Sequence, residues 1–444
     1  MSEKITKTWL KKQEKTFLAD RANRVAMDAV TAVGVNESAK RPDAFRTDLH
    51  AYSVSLPQKG ITNQKRSGRC WMFAALNTMR FRIMQKLNLK DFELSQTYTM
   101  FWDKLEKANY FLESILKTLD EPTSGRLLQW LLMAPVQDGG QWDMICSLID
   151  KYGVVPKASM PETFSSSESM QMNFTLTEKL REDACRLRSA YRAGADEAKL
   201  RAMKDAMMET VYGMLCVCLG VPPKTVDFEV RDKDDKFIRD TGLTPQEFFR
   251  KYVEMDLSEY ISLINAPTDD KPYWRSYSVK FLGNVIEGRK VKYVNLPVDE
   301  LKKAAIAQMQ DGEPVWFGCD VGKSSVRDGG VMSLDLFDKG SLFNTSFGMN
   351  KAERLEYGHS LMTHAMVFQG VNLDENGRPN RWRVENSWGK EPGKDGYYVM
   401  TDAWFDEYLY QVVVNRKYLP EEVLKAFAEK PILLEPWDPM GSLA

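Results

Sequence analysis

The chain has 444 residues, 43% of them hydrophobic and 28% charged, and 61 Lys+Arg against 62 Asp+Glu leave a formal charge of −1. That length is material for two or three domains. Ordinary globular composition excludes wholesale disorder, and the balanced charge leaves no electrostatic basis for nucleic acid or an acidic membrane as the main partner.

Residues 1–50 read as a charged helical arm ending in the polar Asn36–Asp48 stretch. No apolar h-region follows the amino terminus, and the longest nearly unbroken apolar run, Met214–Val221, is too short to span a bilayer. A soluble, cytoplasmic protein is therefore expected. Residues 51–164 have helical periodicity: from Cys70, the positions Trp71, Ala74, Ala75, Thr78, Phe81 and Arg82 recur at three- and four-residue spacings. Residues 165–272 predict an all-helical insertion, carried by Glu178–Tyr191 and Ala198–Leu219.

The pattern changes over 273–418. Short β-branched and aromatic runs at Val291–Leu296, Pro314–Cys319, Ala365–Val371, Trp382–Glu385, Tyr397–Met400 and Val412–Val414 predict antiparallel strands. One helix, Asp299–Gln310, interrupts them. Residues 419–444 form a Pro-rich tail too short to pack alone. A helical half followed by a strand-rich half predicts an α+β fold, with the site in the cleft between them.

The six cysteines read as reduced thiols, and three histidines (His50, His359, His364) provide no four-ligand zinc spacing. The acidic Asp232–Asp235 stretch lacks the glutamate of a calcium loop. No metal or cofactor is expected. Cys70 follows Gln64-Lys-Arg-Ser-Gly-Arg and opens a helix, where unpaired N–H groups and the helix dipole favour a thiolate. A buried core cysteine beside Trp71 and Phe73 is the alternative. Thr363-His364-Ala begins a strand and Glu385-Asn386-Ser-Trp388-Gly ends one. A histidine can take the thiol proton, and a carboxamide oxygen can orient its ring. Trp388 would screen that bond from water, and Gln64 with the Cys70 N–H could hold an oxyanion.

In that order, Gln-(x)₅-Cys-Trp, His-Ala and Asn-Ser-Trp-Gly resemble the papain superfamily of cysteine peptidases, whose Cys–His–Asn logic is itself a standard case. The interval from Cys70 to His364 is about twice the roughly 130–150 residues of compact relatives. Met-Thr-His-Ala-Met, Arg-Val-Glu-Asn-Ser-Trp-Gly, Asp138-Gly-Gly-Gln-Trp-Asp143 and Pro436-Trp-Asp-Pro-Met-Gly resemble the bleomycin hydrolase / bacterial aminopeptidase C family. The resemblance implies a papain-like fold, a helical domain plus an antiparallel β-barrel-like domain, with helical insertions, terminal arms and a homohexameric ring. It implies Cys70 as nucleophile, His364 as base and acid, Asn386 as its orienter and Gln64 at the oxyanion. Gly139 and Gly140 look like the backbone that pairs with substrate, with a tight turn as the alternative. The carboxylate of Ala444 would meet the α-ammonium of peptides with free amino termini. The implied activity is that of a cysteine aminopeptidase; an endopeptidase, a thiol acyltransferase or a non-catalytic scaffold on the same fold are the alternatives.

Overall fold

The computed structural model describes residues 4–45, 50–57 and 60–444. Its helical half is organised about Cys70–Lys86, which has no solvated stripe because it runs through the centre. Trp71, Met72, Phe73, Leu76, Met79 and Ile83 are all buried around its circumference. Helices Gln96–Lys117 and Trp142–Tyr152 pack beside it. The Ser95 hydroxyl caps the first by accepting from the Tyr98 N–H at 3.1 Å. Gly153 ends the second at φ +70°, where a Cβ would lie 2.3 Å from the Pro245 backbone.

The insertion begins as expected, with two long helices, Met170–Arg192 and Glu197–Leu219. Beyond them the structure corrects the all-helical expectation. Val226–Arg231 and Phe237–Leu243 pair as an antiparallel hairpin, and Asp232–Asp235 lies in its turn. Val226 and Phe228 are buried while Asp227 and Glu229 are exposed, the alternation of a half-covered strand. Tyr260–Ile264, also assigned to the insertion, is a fully buried strand of the main sheet. So short an apolar run carries no periodicity that separates a buried strand from a buried helix.

Among the described residues, twelve strands form that sheet. Its centre runs Tyr260–Ile264, Leu409–Asn415, Val315–Cys319, His364–Leu373, Pro379–Glu385 and Tyr397–Thr401, each antiparallel to the next. Parallel pairs also occur, Tyr260–Ile264 with Tyr293–Asn295 and Arg275–Val279 with Ile432–Leu434 of the tail. Alternation along His364–Leu373 serves two cores. Ala365 and Val367 face the core around the Cys70 helix; Met366 and Phe368 face a second one, to which helix Val298–Gln310 gives Leu301, Ala304 and Met309.

The two halves are bolted together beside the site. Arg80, on the Cys70 helix, meets Glu385 at 2.8 Å with both side chains buried, and Glu385 also accepts from Gln369 at 2.6 Å. Removing one member of such a pair typically costs about 3–5 kcal/mol, because a charge is left unanswered in the interior.

Among its described residues the amino-terminal arm has two long helices, Lys7–Ala19 and Arg21–Val33, neither with a buried residue, and a short one, Val35–Ala39, in which Ala39 is buried. Trp9, Phe17, Leu18, Val25 and Met27 are exposed on them. Residues 1–3 and 46–49 of the expected arm, Asp48 included, lie outside the described residues. No described helix is long and apolar enough to cross a membrane.

Candidate active site

Cys70 is the first residue of its helix, and its side chain is almost wholly enclosed. The loop before it is held by buried polar groups. Arg69, fully buried, makes a paired contact with both oxygens of Glu162 at 3.1 and 2.9 Å, and its Nε donates to the Ser67 hydroxyl at 2.8 Å. Gln64 spans this loop and the segment that carries Asn386. Its Nε2 donates to the Ser67 carbonyl at 2.6 Å, while its Oε1 accepts from the Ser387 hydroxyl at 2.6 Å. The Gln64 N–H donates to the Ser387 carbonyl at 2.8 Å.

His364 opens the strand packed on the Cys70 helix, and the backbone of the next residue, Ala365, favours the ionised form of the Cys70 thiol. The Nε2 of His364 lies 2.9 Å from Asn386 Oδ1, which also accepts from the Ser387 N–H at 2.8 Å. A carboxamide oxygen can only accept, so Nε2 carries the proton and Nδ1 is left to accept one. Trp388 tilts over the imidazole with ring centres 4.8 Å apart. Contacts thus join Gln64, His364, Asn386 and Trp388, and Cys70 opens the helix on which the His364 strand packs. His359 stands exposed in the turn after Lys351–Glu356 and takes no part in these contacts.

Burial dominates the titration of both reactive groups. It pushes the Cys70 thiol up to about 11, against the N–H groups of Ala365, Trp71 and Cys70 itself. It pushes His364 down to about 4, against the bond to Asn386. In both, burial opposes the charged form.

Gly139 and Gly140 meet the chain's own tail. The Gly140 N–H donates to a carboxylate oxygen of Ala444 at 3.1 Å, and the Ala444 N–H donates back to the Gly140 carbonyl at 3.3 Å. The absence of Cβ atoms is required: one on Gly139 would lie 2.7 Å from Leu443, and one on Gly140 would lie 2.5 Å from the Trp71 ring. Ala444 is 4% exposed. The tail reaches this position along a chain of anchors. Lys271 pairs with Asp438 at 2.9 Å, Arg126 lies over Trp437 at 3.9 Å, and Gln141 donates to the Ser442 carbonyl at 2.7 Å.

Sequence reasoning missed the groups under this segment. Asp138 accepts from Lys104 at 2.6 Å, the Gly68 N–H at 2.9 Å, Ser169 at 2.5 Å and Asn173 at 2.7 Å. Lys107, buried, donates to Asp103 at 2.7 Å and to the carbonyls of Gln137 and Gly139 at 2.9 and 2.7 Å. The signal available was the placement of Asp103 and Lys104 about one helical turn before Lys107 within Gln96–Lys117.

The model of the Peptidase C1-like family matches residues 4–441. The chain belongs to that family. It is 50% identical over 444 residues to Aminopeptidase C of Listeria innocua, covering 100% of both chains. It is 47% identical over 404 residues to human bleomycin hydrolase, covering 89% of each. The crystal structure of PepW from Lactobacillus rhamnosis superposes with a TM-score of 0.98 at 50% identity, covering 100% of both chains.

In a His364→Ala variant, alkylation of Cys70 by iodoacetamide at neutral pH is expected to fall on the order of a hundredfold and to keep rising as pH approaches 11. Without the imidazole, burial is expected to keep the thiol protonated. An unchanged rate at neutral pH would mean that Cys70 ionises without the imidazole.

Proposed function

We propose that this chain is a cysteine aminopeptidase that releases amino-terminal residues from peptides and small amides through a thioester acyl-enzyme. Cys70 attacks the carbonyl carbon while His364 Nδ1 takes its proton; His364 then returns that proton to the departing amine. Water, deprotonated by His364, hydrolyses the thioester and frees the thiol. The oxyanion is held by the Cys70 N–H and the second N–H of Gln64 Nε2, the first being engaged by Ser67. Asn386 keeps the ring in its tautomer, and Trp388 keeps water from that bond.

The observation that carries the exopeptidase reading is the two-way backbone pairing of Ala444 with Gly140. An extended substrate would need the same Gly140 groups, so the tail stands in its way and leaves room only between Ala444 and Cys70. The Ala444 carboxylate then answers the α-ammonium of the residue placed there, a charge-assisted contact in a partly dry cleft. The Aminopeptidase C name of the Listeria relative agrees with this reading.

The remaining proposals concern organisation. The arm (1–50), the helical domain with Cys70 (51–164), the insertion (165–272), the strand-rich domain with His364 and Asn386 (273–418) and the tail (419–444) act as separate functional parts. The protein works in the cytoplasm, with no membrane or primary nucleic-acid partner. Six copies assemble into a ring, supported by the uncovered apolar side chains of the arm. Light scattering on the full chain is expected to give six copies; a monomer at working concentration would contradict the ring.

Removing residues 441–444 is expected to abolish the preference for free amino termini and to permit cleavage inside longer, N-acetylated peptides. Retention of strict amino-terminal cleavage after that truncation would refute the role given to Ala444.

A further inference from the structure

At the end of the Cys70 helix away from the thiol, a cavity of about 470 Å³ lies between that helix, residues 252–255 and residues 311–314. None of Gln64, Cys70, His364, Asn386 or Ala444 lines it. We propose that it binds a free α-amino acid with an apolar side chain, and that its occupancy alters turnover at Cys70. Such an amino acid is what the proposed aminopeptidase would release, so the inference rests on that reading for the source of its ligand.

The lining suits a small apolar zwitterion. Its buried part is aromatic and apolar, with Phe81, Trp142, Met255, Tyr260 and Trp316. Its exposed part holds both signs of charge. Arg82 and Glu313 face each other there at 3.5 Å, their side chains 33% and 23% exposed. Tyr260 also donates to Glu313 at 2.8 Å, and Lys417 lies 3.3 Å from its other oxygen. Lys86 and Glu254 make a second pair at 2.6 Å. A ligand carboxylate can take the Arg82 guanidinium and a ligand ammonium the Glu313 carboxylate, so that opening the long pair leaves neither charge unanswered.

Two further observations fall on the same lining. Trp142 Nε1 is buried and donates to no group among the described residues. Buried donors normally have an acceptor, and a ligand carboxylate would supply one. Phe249–Val253 is a turn of π-helix that ends on Glu254 in the left-handed region at φ +50°. Both are sparsely populated conformations that gather at functional sites.

The two indoles connect the cavity with the active site. Trp316 Nε1 donates to the carbonyl of Trp71, the residue after Cys70, at 3.1 Å. Trp142 lies two positions after Gly140 and follows Gln141, which donates to the Ser442 carbonyl at 2.7 Å. The two rings are 6.1 Å apart, centre to centre. A ligand that shifts either ring therefore acts on the backbone beside the nucleophile or on the segment that seats the tail.

Calorimetry of L-leucine with the full-length protein, treated with iodoacetamide, reads the cavity without turnover. Leucine is expected to bind. N-acetyl-leucine, which lacks the ammonium, and leucinamide, which lacks the carboxylate, should each bind at least about tenfold more weakly, since each forfeits a charge-assisted contact. The Arg82→Gln/Glu313→Gln double variant should weaken leucine by a similar factor and keep kcat/KM in its absence. With untreated enzyme, saturating leucine is expected to shift kcat for an aminoacyl coumarin amide about fivefold, the low end of coupling between sites. In the double variant kcat should stay unchanged. No binding, equal binding of leucinamide, or a rise in KM with kcat unchanged in the unsubstituted enzyme would overturn the assignment; equal binding of leucinamide would place leucine opposite Ala444 instead. An enzyme that cleaves no aminoacyl amide fails the aminopeptidase reading and loses the effect on turnover, and the calorimetry then decides the binding site by itself.

Discussion

A carboxylate withdrawn from water has to be answered by donors inside the protein, and for Asp138 those donors come from three separate stretches of chain. Lys104 belongs to helix Gln96–Lys117, Gly68 to the loop that delivers Cys70, and Ser169 and Asn173 to the start of the insertion. Burial alone would raise this carboxyl; the Lys104 ammonium and the other donors hold it well below the usual carboxylate range instead. One charge therefore ties the Cys70 loop, the insertion and the Gly139–Gly140 segment to one another. Trp71 adds to the same joint, its indole donating to the Asp138 carbonyl at 2.7 Å while its ring lies against Gly140. The position of Ala444 follows from that of Gly140.

The tail is held by the same kind of accumulation. A parallel strand, a buried ion pair, a cation over an indole and several carbonyl contacts each order a few residues between Ile432 and Ala444. No one of these contacts overcomes the conformational entropy of a chain end, but in series each fixes the start of the next. The opposite end of the chain shows the contrast. The helices Lys7–Ala19 and Arg21–Val33 have no buried residue, and Trp9, Phe17, Leu18, Val25 and Met27 stay exposed on them.

Much of the site was legible because its chemistry is carried by residue types in local context. Cys70 after a glycine-containing loop, His364 at the head of an apolar strand and Asn386 before Ser-Trp-Gly each announce themselves within a few residues. Strands with alternating or β-branched sequences were legible for the same reason. The hairpin at Val226–Leu243 was obscured by its charged turn, and Tyr260–Ile264 by the lack of any periodicity in a wholly buried strand. The buried charges were hidden by a different cause. Asp138, Arg69, Arg80 and Lys107 resemble solvated surface residues until the fold brings partners from distant parts of the sequence. Glu385 answers Arg80 across three hundred positions of chain, and no local pattern marks that pairing.

The central claim is that a thiol peptidase is restricted to free amino termini by its own last residue. A paired assay on the full-length protein under reducing conditions tests it most directly, using one aminoacyl coumarin amide with a free α-amino group and the same compound N-acetylated. Cleavage of the free form alone is the result this account predicts. Comparable cleavage of both would leave the Cys70 chemistry standing and contradict the selection at Ala444.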